Sequence, residues 1–126
     1  MNQGVIKSFT DLNAWKYGHK LVLSIYKITV VFPREEVYGL TSQIRRSAVS
    51  ITSNIAEGFS RQSFKEKVQF YSIAQGSLTE LQNQLVISRD LNFISDVEFQ
   101  KIAQDTIVVH KLLSGLIKKS KQIHNS

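Results

Sequence analysis

Lys16, Lys20 and Lys27 sit four and seven residues apart, the spacing that puts side chains on one face of an α-helix. Lys111, Lys118 and Lys119 form a second basic group near the end of the chain. Ammonium groups arrayed in this way suit contact with the phosphates of a polyanion, which needs charge and reach but no reacting group. Residues that would break bonds are harder to find. Cysteine is absent, so disulfides, zinc-thiolate sites and thiol nucleophiles are excluded. A di-iron bundle needs Glu-x-x-His pairs, but Lys16 stands three before His19 and Ile107 three before His110. His124 lies in the tail, and all three histidines read as solvent or packing residues. Serine is plentiful, yet no Gly-x-Ser-x-Gly elbow accompanies it. The expectation is a protein without catalytic centre, metal site or cofactor.

The net charge of +6 is unevenly placed. Residues 1 to 34 carry a net +4, residues 35 to 94 balance, and residues 95 to 126 carry a net +2. In an up-and-down bundle the first and last helices are neighbours, so the excess gathers on one side as a surface for RNA or DNA. A plainer reading, in which lysines only solubilise exposed helix faces, accounts for the charge equally well.

Four helices must position these residues, at about 10–32, 40–58, 63–90 and 95–120. The chain of 126 residues suits one domain spanning its whole length. No apolar run reaches the roughly 18 residues of a membrane span, and the first seven residues carry no signal-peptide core, so a cytoplasmic protein that avoids membranes is expected. Residues 1 to 8 read as a frayed lead-in. Thr10 or Asp11 is the expected N-cap of the first helix, with Phe9 packing back on its first turn. That helix buries Leu12, Trp15, Leu21, Val22, Ile25, Tyr26, Ile28 and Thr29, and Phe32-Pro33 ends it. Pro33 to Glu36 read as a short turn. The second helix buries Leu40, Ile44, Ala48, Ile51, Ile55 and Phe59, with Gly58 as its terminal glycine. Capping boxes at Ser63/Glu66 and Ser95/Glu98 open the other two. The third carries a main stripe of Phe64, Val68, Tyr71, Ala74, Leu78, Leu81 and Leu85, and a second of Phe70, Ile73, Ser77 and Ile87. The fourth buries Val97, Ile102, Ile107, Val109, Leu112, Leu113, Leu116 and Ile117, leaving Phe99 and Val108 outside. With no strand alternation, an antiparallel four-helix bundle is the expected all-α fold. Apolar residues beyond one stripe imply an oligomer, because a monomer would expose them.

The run Gly39-Leu-Thr-Ser-Gln-Ile-Arg-Arg-Ser-Ala-x-Ser-Ile-x-Ser-Asn-Ile-Ala-Glu-Gly58 is the most distinctive stretch. With Asp11-Leu12-x-x-Trp15-Lys16 and Ala74-x-Gly76-Ser77-Leu78-x-Glu80-Leu81, it resembles the bacterial four-helix-bundle family of the 23S rRNA intervening-sequence protein. The resemblance implies an up-and-down bundle assembling into a ring-like homopentamer. It also implies kinship with the accessory protein of diversity-generating retroelements, which engages reverse transcriptase and nucleic acid. It supplies no catalytic residue.

Small and polar residues in these motifs read as structural. Gly76, a costly residue in mid-helix, is expected to face Ser47 across a close helix contact, in a register pairing each position i with 123 minus i. The same register brings Glu80 near Arg46 as a charge-assisted pair. Glu57 and Arg61 form an i, i+4 pair, and Asn54 is expected to bond across a helix interface or to a loop carbonyl. The function this predicts is a non-enzymatic homo-oligomer that binds nucleic acid, structured RNA above all, through Lys16, Lys20, Lys27, Lys111, Lys118 and Lys119. The alternative is an oligomeric scaffold that docks a protein partner.

Overall fold

A helix with one apolar stripe must bury it, and here four helices bury theirs against one another. In a computed structural model of the chain, α1 spans Asn13–Thr29, α2 Leu40–Ser60, α3 Phe64–Asp90 and α4 Asp96–Asn125. Short 3₁₀ turns at Phe9–Asp11 and Arg34–Glu36 precede the first two. The structure describes residues 5–125 and, of the last two of these, the backbone alone. The expectations for residues 1–4 and for the His124 side chain lie outside the described residues. No strand occurs among the described residues. α1 packs on α2 and α4, and α3 packs on the same two. Among the described residues no helix is long and apolar enough to cross a membrane.

The shared core is led by Leu21 and Ile25 of α1, Ile44, Ile51 and Ile55 of α2, Leu78, Leu81 and Leu85 of α3, and Val109 and Leu113 of α4. Full burial of each such side chain contributes about 1.5–3 kcal/mol. Four hydroxyl residues within the core donate to carbonyls of their own helix. Thr29, Ser88 and Ser120 each donate to the carbonyl four residues back, and Thr106 to the one three back. This back-bonding lets polar residues sit at helix contacts without a partner across them.

The expected stripe of α4 needs correction. Val97 is 79% exposed and Ile107 is also exposed, whereas Phe99 is buried beneath the Arg89 guanidinium. The buried register runs through Phe99, Ile102, Thr106, Val109 and Leu113. Thr106 hides that register from an apolar count. On α3 the main stripe is buried from Tyr71 to Leu85 and half-buried at Phe64 and Val68, but Ile73 and Ile87 of the second stripe are exposed. On α1, Tyr26 is exposed and the small residues Ala14 and Gly18 are buried.

Helix ends also differ from expectation. Ser8 caps the chain's first turn: its Oγ accepts from the Thr10 amide, while Asp11 accepts from the amides of Ser8 and Lys7. Those two amides hold the Asp11 carboxyl below its usual range, with Lys16 and Lys7 adding a smaller effect against partial burial. Thr10 and Asp11 therefore lie inside a 3₁₀ turn, and α1 starts after it. Phe9 does pack back, edge-on to Trp15 at 5.5 Å. α1 stops at Thr29, where a turn closed by the Phe32 amide on the Thr29 carbonyl carries Phe32 onto Phe93. The Glu36 carboxylate accepts from the Leu40 amide and so caps α2. Ser63 accepts from the Glu66 amide, and Ser95 and Glu98 form both bonds of a capping box. Between them α3 ends on Asn92 at φ 63°, with the Phe93 amide on the Ser88 carbonyl and the Asn92 amide on that of Arg89. This six-to-one pattern reverses the chain within a few residues. α4 continues to Asn125, beyond the expected end near 120.

The α2–α3 seam carries the largest corrections. Gly58 is not terminal: α2 continues to Ser60, and Lys67 of α3 donates to the Phe59 carbonyl at 2.6 Å. Burial lowers the Lys67 pKa, a cost offset by satisfying a carbonyl at the negative end of α2. Gly58 is buried, and a Cβ on it would come within 2.7 Å of the Tyr71 ring and 3.0 Å of Phe70. Gly76 is exposed instead, with no atom within 4 Å of an added Cβ, so it does not face Ser47. The register is shifted by about one turn: Ser50 and Ser77 share a hydrogen bond of 2.8 Å, and Gly58 meets Tyr71. Asn54 bonds within its own helix, to the Ser50 carbonyl and hydroxyl, so the Ser50 hydroxyl links Asn54 to Ser77. Glu57 and Arg61 pair at 2.9 Å on the surface. Arg46 and Glu80 border one groove with the buried Ser47, but no ion pair joins them.

Candidate nucleic-acid interface

Lysines at four- and seven-residue spacing on α1 must lie opposite the side that buries Leu21 and Ile25. Lys16, Lys20 and Lys27 are all exposed there, with the Lys20 ammonium 5.0 Å from the centre of the exposed Tyr17 ring. On α4, Lys111 and Lys118 point away from Val109 and Leu113 by the same logic, and both are exposed. Lys119 is exposed too, and it turns toward α1, lining a 160 Å³ groove with Leu12, Asn13 and Gly115. The six lysines thus lie on two helices that pack on each other, and none is within ion-pair distance of a carboxylate among the described residues. Chemically this surface can hold phosphates at a distance set by flexible side chains.

Exposed His19 stacks on the half-buried Trp15 with ring centres 4.7 Å apart and an interplanar angle of 10°. His110 is exposed. No group of three or more His, Asp or Glu residues is gathered for a metal among the described residues.

One basic residue escaped the sequence reading. Arg45 is half-buried between α1 and α2, its Nε donating to the Thr29 hydroxyl at 2.8 Å and its guanidinium over the Tyr26 ring at 4.7 Å. Thr29 in turn donates to the Ile25 carbonyl, which leaves its oxygen free to accept. Next to it, Arg46 is exposed. An arginine pair among hydroxyl residues was the available signal, but hydrogen bonds to another helix cannot be seen in sequence.

Residues 10–115 match the family model described as 23S rRNA-intervening sequence protein. The chain belongs to that family. No curated protein matches the chain. Among solved structures, the chain is similar to a protein of unknown function from the S23 ribosomal protein family of Bacteroides thetaiotaomicron VPI-5482. The two share 23% identity over 83% of this chain and 95% of the other, with a TM-score of 0.77. At that identity the likeness shows the shared fold. The family match spans the tract from Leu40 to Gly58 that builds the α2–α3 seam, all of α1 and α3, and most of α4.

Proposed function

We propose that this family member is a non-enzymatic homo-oligomer, an antiparallel up-and-down bundle that binds structured RNA through the lysines of α1 and α4. The observation that carries this reading is the segregation of charge. Lys16, Lys20, Lys27, Lys111, Lys118 and Lys119 are exposed on two packed helices, while the outer face of α3 at Gln69, Ser72, Gly76, Thr79 and Asn83 is exposed and uncharged. A basic side suits phosphates. An uncharged side suits another copy of a chain that is itself strongly positive, since like charges there would repel. Exposed Gly76, where an added Cβ would meet no atom of another element within 4 Å among the described residues, fits a face where another helix can come close. The opposed course of α2 and α3 is supported by the Ser50–Ser77 and Gly58–Tyr71 contacts, in which numbering rises on one helix as it falls on the other. Five subunits in a ring follows from the resemblance alone. Repeating a modest basic patch around a ring raises the effective affinity without any new contact.

A second reading, docking of a protein partner, is favoured by the connection from α1 to α2. Val30 and Val31 are 73% and 77% exposed there, and Tyr38 is 96% exposed.

The test is binding of structured RNA and duplex DNA across a salt series, with the mass in solution recorded on the same sample. The expected result is submicromolar binding by an oligomer that weakens steeply with salt, and much more when Lys16, Lys20 and Lys111 are changed to Glu. An assembled oligomer that binds neither near physiological salt would overturn the nucleic-acid reading in favour of the docking one.

A further inference from the structure

Between α1 and α2 lies an open groove of 580 Å³, bordered by Tyr26, Thr41, Ser42, Arg45, Arg46 and Ser50. Among the described residues no carboxylate lines it. The half-buried Arg45 guanidinium is held against α1 by the Thr29 hydroxyl, which accepts from Nε, by the Tyr26 carbonyl, which accepts from Nη2 at 3.5 Å, and by the Tyr26 ring, and among the described residues it forms no ion pair. Its contacts to Thr29 and Tyr26 are all to neutral groups, so they supply no counter-charge. The same contacts fix the direction of the fork, so an anion entering the groove meets a donor whose side-chain entropy is already spent. Arg46, one residue on, borders the same groove as a second and unfixed guanidinium. Ser42 and Ser50 add hydroxyls at its margin. An adjoining groove that shares Arg46 and Ser50 with this one is lined by Glu80, which forms no ion pair with Arg46.

We propose that the Arg45–Arg46 groove is a site for a phosphate group, bound by the paired guanidinium groups at the α1–α2 junction. Two planar forks match a tetrahedral oxyanion better than the point charges of lysines do. The site is distinct from the six lysines and lies on the α1–α2 side. It takes a backbone phosphate of RNA or the phosphate of a free nucleotide, and only the first of these sources rests on the nucleic-acid reading.

The test uses the full chain labelled with ¹⁵N at arginine, titrated with inorganic phosphate, with AMP and with a structured RNA, while the Arg45 Nε–H resonance is followed. Its assignment comes from its loss in Arg45→Lys. Alongside, RNA affinity is measured for Arg45→Lys, Arg46→Gln and, as a control for charge alone, Lys65→Gln. If RNA is the source, RNA shifts the resonance, and Arg46→Gln lowers the slope of log affinity against log salt by about one, the signature of a lost phosphate contact. Arg45→Lys, which keeps the charge and loses the fork, then weakens RNA binding severalfold, and Lys65→Gln does not. If the source is a free nucleotide, AMP and phosphate shift the resonance saturably while the variants bind RNA, or fail to, as the parent does. That result supports the site even where the lysine reading has failed. A resonance unmoved by all three ligands, with Arg46→Gln indistinguishable from Lys65→Gln, overturns the proposal. Because Arg46 is exposed, its substitution leaves the fold intact and the test readable.

Discussion

The α2–α3 seam and the α1–α4 side use their residues in opposite ways. At the seam, Gly58 lies against the Tyr71 ring, Ser50 meets Ser77, and Ala48 and Ala74 are fully buried. Small side chains there bring two backbones close. On the α1–α4 side, Lys16, Lys20, Lys111 and Lys118 project into solvent, and the groove between the helices is edged by Lys119. The difference teaches that stability and charge are kept apart in this bundle. Close packing tolerates no extra atom, so substitutions at the seam act on folding. Exposed lysines contact almost nothing, so substitutions there spare the fold.

The comparison breaks first at Gly58. Gly58→Ala places a carbon within 2.7 Å of the Tyr71 ring, and the clash outweighs the helix propensity that alanine adds, for a net loss of about 2 kcal/mol in urea unfolding. A gain in stability would show that the seam is loose. Tyr71 sharpens the same contact through pH. Burial pushes its phenol up to about 12, so the folded form keeps a proton that the unfolded chain releases near 10. Stability is therefore full below pH 10 and declines as pH rises toward about 12. Tyr71→Phe should flatten that decline, and an unchanged profile would mean that other groups cause it.

Gly76 is the counterpart of Gly58. Gly76→Ala should raise the stability of the bundle by about 0.5–1 kcal/mol, since nothing lies within 4 Å of the new carbon. A loss of mass in solution by that variant would locate a neighbouring copy at this face. The smallest effect is expected on the lysine side. Lys16→Gln with Lys20→Gln should leave unfolding within about 0.5 kcal/mol of the parent while weakening RNA binding. A larger stability change would mean that these lysines hold the fold together.

Much of this was legible in the sequence. Apolar spacing located the four helices, because a buried stripe must repeat with the helix period, and serine three before glutamate marked the starts of α3 and α4. The exposed lysine faces were legible for the same reason. Burial within α4 was not, since Thr106 occupies a core position with its hydroxyl satisfied locally, while Val97 and Ile107 are apolar and outside. Nor was the choice between Gly58 and Gly76. Both sit on helices, and which one is crowded depends on a register that shifts by about a turn between the expected and the observed pairing.

By itself, then, the sequence determined the helices, most of the buried sides of α1, α2 and α3, and the uneven charge, all properties of local spacing that every α-helix translates into a face. Only the tertiary structure decided which glycine is pressed by a ring, that Arg46 and Glu80 stay apart, and that Arg45 reaches Thr29 on another helix to edge an acid-free groove. Those depend on how far one helix slides along its neighbour. A sliding of about one turn preserves the same apolar faces, so the pattern of burial cannot specify it, whereas each cross-helix contact changes completely.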